Sequence, residues 1–190
     1  TNTNPVESQA WGERYDTVVN YYRSNNINIV GMLAYNFDKN DTGRPDLALW
    51  SNYISALVNK YKDYIKVWEV YNEPDLDRYL TPNTVENYVP ILRTAYQAIK
   101  QADPGALVLN APTSWPNATF IEKLYQQADS YFDELSLHVY YCDLYKQQGN
   151  LSALQRDFGR VLAVVNKYRP SDKIWITEMG CSTYNEYSRA

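Results

Sequence analysis

The apolar positions of this chain change period repeatedly. Trp11, Tyr15, Val18 and Tyr22 recur every three to four residues and predict a helix near 6–24. "INIVGMLAY" (27–35) is instead a continuous apolar run, the mark of a buried strand. Trp50, Ile54, Leu57 and Tyr61 return to helical spacing over about 46–62, and "IKVWEVY" (65–71) is extended again. Thr81 followed by Pro82 reads as an N-cap and first helical position, with Val85, Val89, Leu92, Tyr96 and Ile99 carrying that helix to about 102. A strand at 106–111, a helix at 117–130, a strand at 134–141, a helix at 151–168 and a strand at 173–180 complete the pattern.

Helix and strand thus alternate five times without a hairpin signal such as Asn-Gly between strands. That order predicts an α/β fold with a parallel sheet and right-handed crossovers, in one domain spanning 1–190 without a linker. In such folds chemistry collects at the carboxyl ends of the strands. Those ends read Tyr35-Asn36, Asn72-Glu73, Pro112-Thr113-Ser114-Trp115, His138 to Tyr140, and Glu178. Two acids, an amide, the single histidine and several aromatics therefore share one rim.

Two strand-end carboxylates suggest glycosidic chemistry. A retaining glycosidase places them ~5–5.5 Å apart, one protonating the leaving oxygen and the other attacking the anomeric carbon. Strand alternation puts Glu69 and Tyr71 on the face of Glu73, and Ile174 and Ile176 on the face of Glu178, so both acids can point inward. Trp68 and Trp175 have the opposite parity and are expected under the helices, while Glu69 reads as a buried, hydrogen-bonded acid below Glu73. The bland alternative is a pair of solvated loop carboxylates or helix caps. Trp115 is a candidate sugar platform or loop packing, and Tyr35, Asn36 and Trp50 flank the same rim.

"WEVYNEPD", "LSLHVYY" and "IWITEMG" resemble the fourth, sixth and seventh strands of clan A glycoside hydrolases, which are (β/α)8 TIM barrels. The wording is most similar to family 39, with family 5 next. The resemblance implies Glu73 as acid/base and Glu178 as the nucleophile that forms a glycosyl-enzyme. It also implies Asn72 on the sugar 2-hydroxyl, Tyr140 donating to Glu178, and His138 lining the subsite. No cofactor is implied. The general acid must be neutral at working pH and the nucleophile ionised.

The resemblance covers strands three to seven only. No segment fits the first two strands or the eighth, nor the arginine near strand two and the tryptophan at strand eight that the clan carries. The fold expected is therefore an incomplete barrel. In a flat sheet three steps of ~4.8 Å would hold Glu73 and Glu178 roughly 14 Å apart, so only barrel-like curvature brings them together. Strands 27–34 and 173–178 are bare edges, to be covered by a second copy of the chain or by a missing barrel segment. The functional expectation is a retaining hydrolase of β-linked oligo- or polysaccharide. The alternatives are a carbohydrate-binding relic without turnover and an inert fragment of a larger barrel.

Composition narrows the partners. The 190 residues are 45% hydrophobic and 21% charged with net charge −4, enough for a core and without the basic stripe a nucleic acid needs. No apolar run reaches the ~18 residues of a membrane span, and no leader pattern opens the chain. Nineteen Tyr and five Trp serve packing or sugar stacking. A single His rules out a His-based metal set, and no Gly-x-Ser-x-Gly elbow is present. Cys142 and Cys181, near the ends of neighbouring strands, would either tie two rim loops as a disulfide or be buried thiols. With the sequons at Asn40, Asn117 and Asn150 they suggest an extracellular or secreted setting.

Overall fold

The computed structural model describes residues 9–34, 43–141 and 151–180, with side chains from 14 onwards. Among these, helices α1 (Gln9–Ser24), α2 (Leu47–Tyr61), α3 (Val85–Ala102), α4 (Ala118–Ala128) and α5 (Ser152–Tyr168) alternate with strands. The strands are β1 (Ile29–Leu33), β2 (Ile65–Val70), β3 (Leu107–Leu109), β4 (Leu135–Val139) and β5 (Ile174–Met179). β1 pairs with β2, β2 with β3, and β4 with β5, all parallel. Two single parallel bridges, Leu109 to Glu134 and Thr113 to Leu137, stitch β3 to β4. The result is five parallel strands in chain order with flanking helices, the incomplete α/β barrel that the alternating pattern predicts.

Three of the helices, α2, α3 and α4, start where a polar side chain satisfies free amides. Asp46 accepts from the Ala48 and Leu49 amides ahead of α2, and Asn117 from Phe120 ahead of α4. For α3 the cap is Thr84, not Thr81, and the helix begins at Val85 rather than Pro82. The Thr81 hydroxyl donates to the Asp77 carbonyl at 2.7 Å, and it is Thr84 Oγ1 that accepts from the Asn87 amide.

The core forms where the helices cover the outer sheet face. Trp68, Val70 and Val108 meet Ile54, Val58, Leu92, Ile99, Ile121 and Leu124 in one buried cluster. Trp50 belongs to it. Its ring stacks on Tyr53 at 5.8 Å and its indole donates to the Ile91 carbonyl, so it packs α2 onto α3 and takes no part in the rim. Fully burying side chains of this size contributes roughly 1.5–3 kcal/mol each.

Parity fails at two places that matter. Tyr71 has φ 78°, and its ring leaves the Glu69 face for the helix layer, 6.4 Å from that of Tyr88. In β5 a bulge opposite Leu137 and His138 inserts Thr177, so Ile176 pairs with Leu137 but Glu178 with His138. Before the bulge it is Trp175 and Thr177 that take the inner face, the indole donating to Glu134 and the hydroxyl lying 3.0 Å from Ser136 Oγ. Ile174 packs against the core instead. Trp175 under the helices, and Ile174 and Ile176 beside Glu178, are thus corrected by one extra residue. β1 and β5 end the sheet with apolar side chains in the open, among them Val30, Met32, Ile176 and Met179.

Candidate active site

Both glutamates reach the same side of the rim. Beyond Val70 the chain turns sharply, with Glu73 at φ 40° and its amide tied to the Pro112 carbonyl at 3.1 Å. The turn delivers the Glu73 carboxylate to the His138 imidazole, Oε1 to Nδ1 at 2.9 Å. On β5 the bulge registers Glu178 against His138, and Glu178 Oε2 lies 3.5 Å from the same Nδ1. One oxygen of each carboxylate and a His138 nitrogen lie within 4.8 Å of one another. The sheet is therefore bent far from the flat ~14 Å spacing.

The environments differ. Glu73 is buried, whereas the Glu178 side chain is 42% exposed. Tyr140 donates its phenol to Glu178 Oε2 at 2.8 Å. That bond, more than its slight burial, pushes the phenol above its usual range and keeps it a donor. Arg78 donates to Glu73 Oε2 at 2.9 Å from a largely exposed side chain. Asn72 is buried, and its Oδ1 has no hydrogen-bond partner.

Below the rim, Glu69 is almost wholly buried and accepts from the Ser136 hydroxyl. Desolvation pushes its carboxyl up, which the hydroxyls of Ser136 and Thr177 only partly offset. Asp75, raised by burial as well, accepts from the Ser114 amide at 3.0 Å and from its hydroxyl at 3.1 Å.

These groups line an open cleft of about 320 Å³, walled by Asn72, Glu73, Ser114, Tyr140 and Glu178 and roofed on one side by Arg78 and Tyr79. Arg78 has no periodicity to betray it, since it sits in the loop "DLDRYL" five residues past Glu73. Trp115 lies outside this cleft, on a neighbouring depression. Tyr35, Asn36, Cys142 and Cys181 lie outside the described residues.

Glu73, His138 and Glu178 are also the one set of metal-type donors close enough together among the described residues. The 2.9 Å contact with Glu73 Oε1 already engages His138 Nδ1 in a hydrogen bond, whose direction follows the imidazole tautomer. The arrangement is a hydrogen-bonded acid pair around an imidazole. Among the described residues no helix is long and apolar enough to cross a membrane.

Known structures share this architecture. A glucosidase from Croceicoccus marinus superposes with TM-score 0.70 at 19% identity, covering 97% of this chain and 41% of its own. A monomeric beta-xylosidase from Caulobacter crescentus gives 0.73 at 20%, covering 90% and 41%. A family 39 glycoside hydrolase from Xanthomonas axonopodis pv. citri gives 0.73 at 20%, covering 91% and 40%. At such identity the likeness is one of fold, and this chain spans about 41% of the first two structures. No curated protein matches the chain in sequence. Residues 11–190 fit the model of the glycosyl hydrolase catalytic core, and the chain belongs to that family.

Proposed function

We propose that the chain carries the catalytic centre of a retaining glycoside hydrolase acting on β-linked oligo- or polysaccharide. The observation that supports it most is the carboxylate pair within 4.8 Å across an open cleft. That close approach of one oxygen from each acid favours the ~5–5.5 Å carboxyl spacing of double displacement over the ~6.5–9.5 Å of an inverting enzyme.

Each residue then has a task. Glu73, buried and reached by the scissile bond from the cleft, protonates the leaving oxygen. Glu178, more exposed and held by the Tyr140 phenol, attacks the anomeric carbon and forms a glycosyl ester. Glu73 then takes the proton of an entering water, which releases the sugar and restores both acids. Asn72, which lines the cleft and carries a buried Oδ1 without a partner, holds the sugar 2-hydroxyl. His138 is a positioning residue that fixes the Glu73 carboxylate, and Arg78 swings off Glu73 when the leaving group arrives. The likeness to a xylosidase and a glucosidase makes β-xylosides and β-glucosides the first substrates to try. The sequons and cysteines favour work outside the cell.

Incubation with an activated 2-fluoro-β-glycoside followed by intact mass and peptide mapping tests the reading. A single adduct on Glu178 is expected, with none in Glu178→Gln. Sugar binding without adduct or turnover would instead mark a carbohydrate-binding relic.

A further inference from the structure

Beside the cleft lies a second depression of about 320 Å³. Its walls are Trp115, the first turn of α4 from Asn117 to Thr119, and the first turns of α5 through Arg156, Asp157 and Arg160. We infer that it is a subsite for a carboxylate-bearing sugar unit of the same glycan that occupies the cleft. The ligand class rests on the hydrolase reading above.

Two adjacent-residue pairs make the cleft and the depression neighbours. Ser114 lines the cleft, and the next residue, Trp115, lines the depression. Tyr140 lines the cleft and binds Glu178, and the next residue, Tyr141, donates to Asp157 in the far wall at 3.0 Å. Ser114 is locked to Asp75 by two bonds, so the ridge between the two hollows is firmly held. A glycan leaving the cleft over this ridge meets the depression next.

The chemistry of the walls specifies the guest. Trp115 is 58% exposed, a large aromatic face left in solvent at the edge of a hollow, and sugar C–H faces stack on such rings. Two arginines stand against a single acid there. Arg156 holds Asp157 through Nε and one terminal nitrogen, at 2.8 and 3.0 Å. Arg156 and the Tyr141 phenol hold the Asp157 carboxyl below its usual range. With its acceptors so occupied, Asp157 meets Arg160 only at 3.8 Å, beyond hydrogen-bond reach, from a side chain 67% exposed. Arg160 therefore keeps its planar fork for an incoming carboxylate, which it matches bidentately. The amides of the first turn of α4 add partial positive charge on the same side. The overall net charge of −4 makes this local excess specific to the hollow rather than a property of the surface.

Binding without turnover tests the subsite. The probes are a β-1,4-linked mannuronate hexasaccharide and β-1,4-mannohexaose, which differ only in the carboxylate, titrated into the full chain by calorimetry and tryptophan fluorescence. The uronate should bind about tenfold more tightly at low salt, an advantage that shrinks as salt rises. Arg160→Gln should abolish that preference and leave mannohexaose affinity unchanged. Trp115→Ala should weaken both ligands and remove the fluorescence change. Both side chains are exposed, and circular dichroism checks that each variant folds. Equal binding of the two sugars, binding of neither, or a preference that survives Arg160→Gln would overturn the proposal. Since no step depends on catalysis, an unlabelled Glu178 would defeat the hydrolase reading and leave this result intact.

Discussion

Glu73 and Glu178 share one imidazole nitrogen, His138 Nδ1 lying 2.9 Å from the first and 3.5 Å from the second. A group placed between two acids fixes their separation as well as their direction. The division of labour follows from what each acid can lose. On the proposed assignment, Glu73→Ala should remove proton transfer and leave the nucleophile in place. Aryl glycosides with very acidic phenols should still label Glu178 quickly, while release of the ester slows by about 10²–10⁴-fold. Burst kinetics with a dinitrophenyl glycoside read both steps, and added azide should restore release as a glycosyl azide.

The unpaired Oδ1 of buried Asn72 marks a polar group kept ready for a ligand. A 2-deoxy substrate should lose about 10²-fold or more in kcat/KM with the unmodified chain, the magnitude of several kcal/mol assigned to 2-hydroxyl contacts. With Asn72→Ala the same substrate change should matter little. Comparing the four rates as a double-mutant cycle checks that the two losses are one interaction.

Glu69 bears on stability. Burial raises its folded carboxyl above the ordinary value of 4.5, so between that value and the folded one the native state holds a proton the unfolded chain has released. Stability from this group is fully present below about pH 4.5 and is lost as pH rises through the folded value. Asp75 acts with the same sign. Glu69→Gln keeps an acceptor for Ser136 without the ionisation. Its melting temperature should match the parent in acid and exceed it increasingly towards neutral pH, as thermal melts across that range would record.

Gly31 faces Trp68 across the β1–β2 pair. A Cβ there would meet two ring carbons of Trp68 at 2.6 Å, with no space for the indole to retreat in a buried cluster. Gly31→Ala should cost about 1–3 kcal/mol. Urea titration should show a lower midpoint with an unchanged slope.

Periodicity revealed the elements because their apolar faces extend over many residues and are all satisfied by one core. It placed Trp68 outside and Glu69 inside correctly, since both lie within the regular part of β2. It misjudged Tyr71 and Trp175, and the Thr81–Pro82 signal misplaced the start of α3. In each of these cases a local feature of one or two residues decides: a positive φ, an inserted Thr177, a cap supplied by Thr84 instead of Thr81. Glu178 turns inward because of that insertion, which simple alternation does not contain. Trp50 was drawn to the rim by its position along the chain, and helix packing carried it into the core. Arg78, Tyr79 and Ser114 reach the cleft from loops, where no repeating pattern announces a direction.

The turn after β2 has a lasting consequence. Tyr71 and Glu73 both sit at positive φ without being glycine, an arrangement that costs of order 1–3 kcal/mol each. Glycine at position 73 would relax the backbone and delete the acid in a single step. On the proposed reading, then, relieving the strain at this corner would cost the chain its acid together with the His138 and Arg78 contacts.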